Sequence, residues 1–214
     1  MRVLFAADAH AEIQAIDFLK QFWNQEKPEA LVFVGDFTQV GPIDYARDFI
    51  NEAKQLTPNF KAIPGNNDTE AVRELMREKG IDFHAQAIDF HGFKLVGFGG
   101  SNPTPFNTVF EYEDEELYDS IAKLTDSQSI VVSHAPPFNS NADKLHNGFH
   151  AGCKSLRKLI EEKQPRACIC AHIHENEGVE TIGKTKIIKV APLMHGKAAL
   201  VDLNTLHAKF LSIK

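Results

Sequence analysis

Short apolar runs alternate with amphipathic segments along the first part of the chain. The apolar runs have the length of buried strands and cover residues 2–7, 30–34 and 60–63. The amphipathic segments have helical spacing and cover residues 12–25, 45–56 and a stretch from Thr69, a suitable N-cap, to near Gly80. This order predicts parallel strands joined by right-handed crossovers, with ligands bound at the carboxyl ends of the strands.

The pattern changes beyond Gly80. Residues 82–99 hold two apolar segments around His91-Gly92, which predicts a β-hairpin. Further strands are predicted at residues 129–133 and 167–171, further helices at 113–124 and 155–162, and long loops at 101–112 and 138–152. The remaining chain alternates apolar and polar residues and turns at Gly183 and Asn204, as antiparallel strands do.

Composition and charge fit an ordinary globular protein, which we expect to form a single domain over residues 1–214. Hydrophobic residues make up 43% of the chain and charged residues 24%. Its net charge of −6 gives no overall attraction to duplex nucleic acid or to an anionic membrane. No apolar stretch approaches the roughly 18 residues of a membrane span, and Asp8 comes too early for a signal peptide. We therefore expect a cytoplasmic protein and leave its oligomeric state open.

Aspartate, asparagine and histidine cluster where the predicted strands end. The clusters are Asp8-Ala9-His10, Gly35-Asp36, Gly65-Asn66-Asn67-Asp68, Ser133-His134 and His172-Ile173-His174. Residues i and i+2 of a strand point to the same side, so Asp8 with His10, and His172 with His174, can each face one centre. The sequence therefore predicts a polar site at the carboxyl edge of the sheet.

The donor types in these clusters point to metal ions. Carboxylate, amide and imidazole donors without a thiolate suit Mn, Fe, Co, Ni or Zn, with Mn favoured. Seven such donors are too many for one ion that keeps an open position, but they fit two ions that share a bridging carboxylate. Two divalent ions, two carboxylates and a bridging hydroxide sum to about +1, which suits a phosphate ester. We expect two divalent transition-metal ions and a small phosphate-ester substrate.

The ordered set Asp-x-His, Gly-Asp, Gly-Asn-x-Asp, His and His-x-His, from Asp8 to His174, resembles the calcineurin-like metallophosphoesterase family. The resemblance implies an α/β fold, namely a four-layer α/β/β/α sandwich of two mixed sheets with a dinuclear site at one edge. It also implies the ligands, which are Asp8, His10 and His174 for one metal, Asn66, His134 and His172 for the other, and Asp36 as the bridge.

Three positions differ from the family pattern. Ala11 and Ala171 stand where the family has glycine, at a cost of about 1 kcal/mol wherever the backbone φ is positive. Asn67 stands where many members have a histidine that contacts the phosphate and protonates the leaving group. Asn67 can donate a hydrogen bond to a phosphoryl oxygen but cannot titrate, so general-acid help of about 10²–10⁴-fold is missing at this position.

Further residues have predicted roles around the metals. A bridging hydroxide attacks phosphorus in line, Asn67 stabilises charge on the phosphoryl oxygens, and Asp68 orients a neighbour such as a liganding histidine. His150 is a candidate to reach the substrate, and Asn102 and Phe106 are candidates for the pocket wall. The competing interpretations are a turn residue for Asn67, a helix cap for Asp68 and a surface position for His150. The other histidines interpreted as surface residues are His84, His91, His146 and His207.

These features predict a metal-dependent phosphoesterase, and a phosphodiesterase rather than a phosphomonoesterase because the titratable acid is absent. Two alternatives stay open. One is a nuclease acting on short or single-stranded nucleic acid, against which the net charge of −6 and the lack of a Lys/Arg-rich groove count. The other is a binding scaffold of the same fold with weak catalysis, against which the intact ligand set counts.

Overall fold

The computed structural model describes residues 1–213, so Lys214, the last residue of the predicted domain, lies outside the described residues. The strands are β1 (Arg2–Ala6), β2 (Ala30–Val34), β3 (Phe60–Ile63), β4 (Gln86–Phe90), β5 (Phe93–Phe98), β6 (Ile130–Ser133), β7 (Ala167–Cys170), β8 (Gly178–Ile182), β9 (Thr185–Lys189), β10 (Lys197–Asp202) and β11 (His207–Ser212). The helices are α1 (Ile13–Glu26), α2 (Ile43–Leu56), α3 (Glu70–Glu78), α4 (Asp114–Ile121) and α5 (Lys154–Lys163), with a short 3-10 helix at Leu193–His195. None of the helices in the described range has the length and apolar character needed to cross a membrane.

The strands form two mixed sheets. One sheet has the order β11-β10-β1-β2-β3 and the other the order β4-β5-β6-β7-β9-β8. The predicted parallel pairing of β1, β2 and β3 and the predicted hairpin of β4 and β5 are both confirmed. Two pairings were not predicted: β9 joins β7 in parallel, and β10 crosses to the first sheet and pairs with β1.

Three apolar clusters hold four layers together. Between the sheets, Phe5 and Val32 pack with Val132 and Ile169. A second cluster packs α1, α2 and α3 on the outer face of the first sheet, and a third packs α4 and α5 on the outer face of the second. Each buried side chain of this size contributes about 1.5–3 kcal/mol to stability. The observed fold is therefore the α/β/β/α sandwich of two mixed sheets that the family resemblance implies.

One predicted surface residue is not at the surface. His84 is half-buried, its Nδ1 accepts a hydrogen bond from the backbone N–H of Gly99 at 2.9 Å, and its Nε2 lies 3.2 Å from the Tyr112 hydroxyl. Burial, helped by the nearby charge of Arg73, lowers the pKa of His84 to about 4. The interpretation of His84 as a surface residue is therefore wrong, because this side chain anchors the end of the 101–112 loop.

Candidate metal centre

Tight turns carry the polar clusters to the edge where the two sheets meet. The Asp8 N–H donates to the carbonyl of Gly35, and the Ala9 N–H to the carbonyl of Asp36, both at 2.9 Å. Left-handed backbone conformations, with φ between 48° and 71°, occur at Asp8, His10, Asp36 and His172. Such conformations cost about 1–2 kcal/mol in a residue other than glycine, and they concentrate at functional sites.

Two glycines permit the close approach of these turns. A Cβ atom on Gly65 would lie 2.0 Å from Oδ1 of Asp36. A Cβ atom on Gly35, where φ is +91°, would lie 2.6 Å from Nδ1 of His134. Glycine therefore precedes Asp36 and Asn66 because a larger residue would displace the side chains of the site.

Asp8, His10 and His174 form what we call the first cluster. Nε2 of His10 lies 3.3 Å from Nε2 of His174, and Oδ1 of Asp8 lies 3.9 Å and 3.7 Å from these two atoms. Asp8 is fully buried, and within residues 1–213 its Oδ1 has no hydrogen-bond partner. Two ligand atoms bound at about 2.1 Å lie about 3.0–3.4 Å apart, so shifts of about 0.5 Å let these atoms share an ion.

Asp36, His134 and His172 form the second cluster, whose ligand atoms lie within 4.8 Å of one another. Nδ1 of His134 donates to the carbonyl oxygen of Val34 at 2.7 Å, which fixes the proton on Nδ1. Nε2 of His134 consequently points to Oδ2 of Asp36 at 3.4 Å and to Oδ1 of Asn66 at 2.9 Å. The second cluster together with Asn66 thus gathers carboxylate, amide and imidazole donors around one point.

One oxygen atom of the second cluster also faces the first cluster. Oδ2 of Asp36 is 3.6 Å from Nε2 of His10 in the first cluster and 3.4 Å from Nε2 of His134 in the second. Asp36 is 1% exposed, so its carboxylate faces these imidazoles rather than solvent. The structure therefore brings together all seven residues for which a metal was predicted, with Asp36 in the central position.

Burial and neighbouring charges set the protonation of the site. Burial raises the pKa of Asp8, but the imidazoles of the site outweigh it and hold the pKa values of Asp8 and Asp36 below their ordinary range. Burial lowers the pKa of His134, whereas Asp36 raises it to about 9. Burial lowers the pKa of His172 to about 3. Two ionised carboxylates beside one charged imidazole leave a net negative centre, which suits a cation.

Asn67 lines the cleft, and its backbone and side chain are both hydrogen-bonded to Asp36. Its backbone N–H donates to Oδ1 and its side-chain Nδ2 to Oδ2 of that residue, both at 2.8 Å. Its carbonyl oxygen accepts from the N–H of Val40, so the turn is fixed. Nδ2 carries a second hydrogen, and its contact with a phosphoryl oxygen stays a prediction.

Asp68 accepts hydrogen bonds from backbone N–H groups on both sides of the site. Its Oδ2 accepts from the N–H groups of Gly65 at 2.8 Å and Phe37 at 3.3 Å, and its Oδ1 accepts from the Thr38 N–H at 3.0 Å. None of its hydrogen bonds described for residues 1–213 involves a histidine or the N-terminus of α3. Asp68 therefore orients the backbone of the two turns that follow β2 and β3, and its described partners include neither the histidine named as an example nor the helix N-terminus of the competing interpretation. Burial and the charge of Asp36 raise the pKa of Asp68 to about 7.

Both clusters open into a cleft of about 1500 Å³. The loops 101–112 and 138–152 form its walls, so the predicted wall positions of Asn102 and Phe106 are confirmed. His150 also lines the cleft, from the 138–152 loop. His195 lines the cleft as well, and its ring centroid lies 6.2 Å from that of His174.

Two contacts at the site had no sequence signal. The Thr108 hydroxyl accepts from Nδ2 of Asn66 at 2.9 Å and so orients the amide oxygen toward His134. Asp143 is fully buried and lies 2.6 Å from the His150 ring. Both residues stand in long loops without periodicity, where a single threonine or aspartate predicts nothing about its partner.

Comparison with known proteins adds independent findings. A family model described as calcineurin-like phosphoesterase matches residues 1–176. An uncharacterized protein of Methanocaldococcus jannaschii is 32% identical over 201 residues, covering 90% of this chain and 88% of the relative. A probable glycerophosphodiester phosphodiesterase of Arcobacter nitrofigilis is 23% identical over 227 residues, covering 95% and 81%. A crystal structure from Thermus thermophilus has a TM-score of 0.80 at 15% identity, covering 100% and 99%, and shows a similar fold.

Proposed function

The chain belongs to the calcineurin-like phosphoesterase family, and on this premise we propose that it is a dinuclear metal-dependent phosphodiesterase that acts on small phosphate esters. The observation that carries the proposal is the position of Oδ2 of Asp36, within 3.6 Å of an imidazole nitrogen in each cluster. A shared carboxylate between two donor groups is the arrangement expected for two ions acting on one phosphate. A single domain over residues 1–214 and a cytoplasmic location stay predictions.

The residues of the site fit two divalent ions. The first cluster would hold one ion, Asn66 with His134 and His172 would hold the other, and Asp36 would contact both. The unpartnered Oδ1 of Asp8 and the net negative charge of the centre support this assignment. Oxygen donors beside imidazoles favour Mn among the ions Mn, Fe, Co, Ni and Zn. When bound, two such ions supply positive charge to the phosphoryl oxygens and make a water molecule more acidic.

The chain itself orients the ester in this proposal. Asn67 directs its second Nδ2 hydrogen at a phosphoryl oxygen, while its first stays on Asp36. Asp68 keeps the turns of Asp36 and Asn66 at a fixed separation through the backbone N–H groups that it accepts. Thr108 keeps the oxygen of Asn66 turned toward the centre. Such prior positioning lowers the entropic cost of reaching the transition state.

The dimensions of the cleft favour a diester over a monoester. Pockets for small ligands usually measure about 300–1000 Å³, and this cleft is larger, at about 1500 Å³. Its lining includes the exposed apolar side chains of Val40, Phe106 and Val109. An organic group on each side of the phosphorus can use this space, whereas a monoester has only one such group. The Arcobacter nitrofigilis relative, named as a probable phosphodiesterase, supports the same choice.

The charge of the cleft disfavours nucleic acid as the substrate. Among the described residues that line the cleft, Lys154 is the one lysine or arginine, while Glu113 and Glu175 add negative charge. Proteins that bind nucleic acid neutralise several phosphates with lysine and arginine. A small ester is therefore the better candidate, and binding of an oligonucleotide that weakens with salt would favour the nuclease instead.

Hydrolysis of two model esters tests the proposal. We expect protein stripped of metal and reloaded with Mn²⁺ or Ni²⁺ to bind two ions per chain and to hydrolyse bis-p-nitrophenyl phosphate faster than p-nitrophenyl phosphate. Asp36→Asn should lower kcat/KM by about 10²-fold or more. The matched control Asp44→Asn lies on the exposed face of α2 and should keep the activity. Metal bound without hydrolysis would support the scaffold alternative, and a preference for the monoester would contradict the diester assignment.

A further inference from the structure

A second polar pair faces the same cleft from the 138–152 loop. The His150 side chain lines the cleft and is 27% exposed, and its Nδ1 lies 2.6 Å from Oδ1 of Asp143. Neither residue belongs to the first or the second cluster. The pair therefore places a titratable imidazole in a cleft where Asn67 offers none.

Asp143 is held as an acceptor by the backbone around it. The carboxylate is fully buried and accepts N–H bonds from Asn139 at 3.1 Å, Ser140 at 2.9 Å and Gly152 at 2.9 Å. A Cβ atom on Gly152 would lie 2.7 Å from Cβ of Asp143, so glycine permits this approach. Asp143 is thus held in one position by backbone N–H groups and can orient the imidazole of His150.

The remaining nitrogen of the His150 ring is available to a ligand. Nδ1 is taken by Asp143, and no partner within the described part of the chain hydrogen-bonds Nε2. The ring of Phe138 packs edge-on against the imidazole at a centroid distance of 6.1 Å. Asn102, in the 101–112 loop, donates to the carbonyl of Ala151 at 3.3 Å and ties the two loops together. These contacts limit the rotation of the ring while Nε2 stays free.

We propose that His150 is the general acid of the reaction and that Asp143 is its positioning residue. This inference rests on the proposed phosphodiesterase function and supplies the proton donor that Asn67 cannot be. The oxygen of a water molecule forms a bond to phosphorus and releases one proton to solvent. The bond from phosphorus to the ester oxygen breaks, and that oxygen keeps the electron pair and takes the Nε2 proton from the doubly protonated imidazolium form of His150. The imidazole regains a proton from solvent, so one diester and one water give a monoester and an alcohol.

A donor of this kind matters most for poor leaving groups. A p-nitrophenolate leaves readily without a proton, whereas phenolate needs protonation as the bond breaks. Loss of a general acid therefore slows diphenyl phosphate by about 10²-fold or more and slows bis-p-nitrophenyl phosphate much less. A side chain that only shapes the loop would slow both esters to the same extent.

The experiment compares His150→Gln and Asp143→Asn with wild type, all loaded with Mn²⁺, on these two esters. We expect both variants to lose activity selectively on diphenyl phosphate, mainly in kcat. The control His207→Gln changes an exposed histidine on β11 and should behave as wild type. Equal losses on both esters, or no loss, with an active wild type would overturn this proposal alone. A wild type that hydrolysed neither ester would overturn the proposed function, and this inference with it.

A second readout does not depend on activity. Nitrogen NMR of the metal-free protein distinguishes which ring nitrogen of a neutral histidine carries the proton. We expect the His150 proton on Nδ1 in wild type, because Oδ1 of Asp143 can only accept. Asp143→Asn should weaken this preference. A proton found on Nε2 in the neutral wild-type ring would contradict the proposed role of Asp143.

Discussion

At the scale of single residues, the centre depends on backbone conformations that its side chains do not favour. Asp8, His10 and Asp36 all have positive φ, and so does Ala11, at +59°. Ala171, the other alanine at a position where the family has glycine, does not have a positive φ. Strain is therefore carried at Ala11 but not at Ala171, although the two substitutions look alike in the sequence.

This difference predicts opposite effects of two similar substitutions. Ala11→Gly should raise the free energy of unfolding by about 1 kcal/mol, since glycine adopts a positive φ without a steric penalty. Ala171→Gly should lower it by about 1–2 kcal/mol, because it adds freedom to the unfolded chain and removes a methyl group that is buried between the sheets. Urea unfolding of the metal-free proteins measures both values. A lower stability of Ala11→Gly would show that the left-handed turn carries no strain.

Residue identities alone could locate the candidate metal ligands but not the hydrogen-bond partners of every polar residue at the site. The seven predicted metal ligands could be found because each lies just beyond a strand end, where the pattern changes from apolar to polar. Asp68 was expected to orient a neighbour such as a liganding histidine or to cap a helix, and its partners are backbone N–H groups of two turns. Such groups are identical at every position of a sequence, so only the folded turns show which of them face the carboxylate.

At the scale of elements, strand periodicity determined the local pairings but not the full strand order. The three parallel strands β1, β2 and β3 and the β4–β5 hairpin follow from local pattern and turn residues. The sheet that receives β10 could not be predicted, because alternation shows that a strand has a buried face but not which edge it pairs with. The 101–112 loop is anchored by contacts between residues that are far apart in the sequence, such as the contact of His84 with Tyr112.

The anchor of this loop predicts a pH dependence of stability. The pKa of His84 is about 4 in the folded protein and 6.5 ordinarily. Between these values the unfolded chain takes up a proton that the folded chain does not, so the contribution of His84 is full above pH 6.5 and is lost as the pH falls through 4. Protonation of His84 would also place a proton on Nδ1, so that this atom could no longer accept the hydrogen bond from the N–H of Gly99.

His84→Asn removes the titration and keeps an acceptor near Gly99. We expect the difference in unfolding free energy between wild type and His84→Asn to be larger at pH 7.5 than at pH 4, in urea titrations of metal-free protein. His207→Asn, at an exposed position of β11, is the control and should show no such change. A difference that is equal at both pH values would mean that His84 is not neutral in the fold.

At the scale of the whole molecule, each donor cluster takes side chains from both sheets. In the first cluster, Asp8 and His10 follow a strand of the first sheet and His174 follows a strand of the second. In the second cluster, Asp36 follows a strand of the first sheet, and His134 and His172 follow strands of the second. The two sheets meet there through hydrogen bonds such as that from the His172 N–H to Oδ2 of Asp8, at 3.3 Å. The centre therefore exists only when both sheets are packed, and ions that bind it should stabilise the complete fold.

Anomalous X-ray diffraction from crystals loaded with Mn²⁺ tests the central claim most directly. We predict two manganese peaks per chain about 3.5–4 Å apart, one among the first cluster and one beside Asn66, His134 and His172, with Asp36 in contact with both. A single peak, or peaks away from Asp36, would contradict the dinuclear account of this protein.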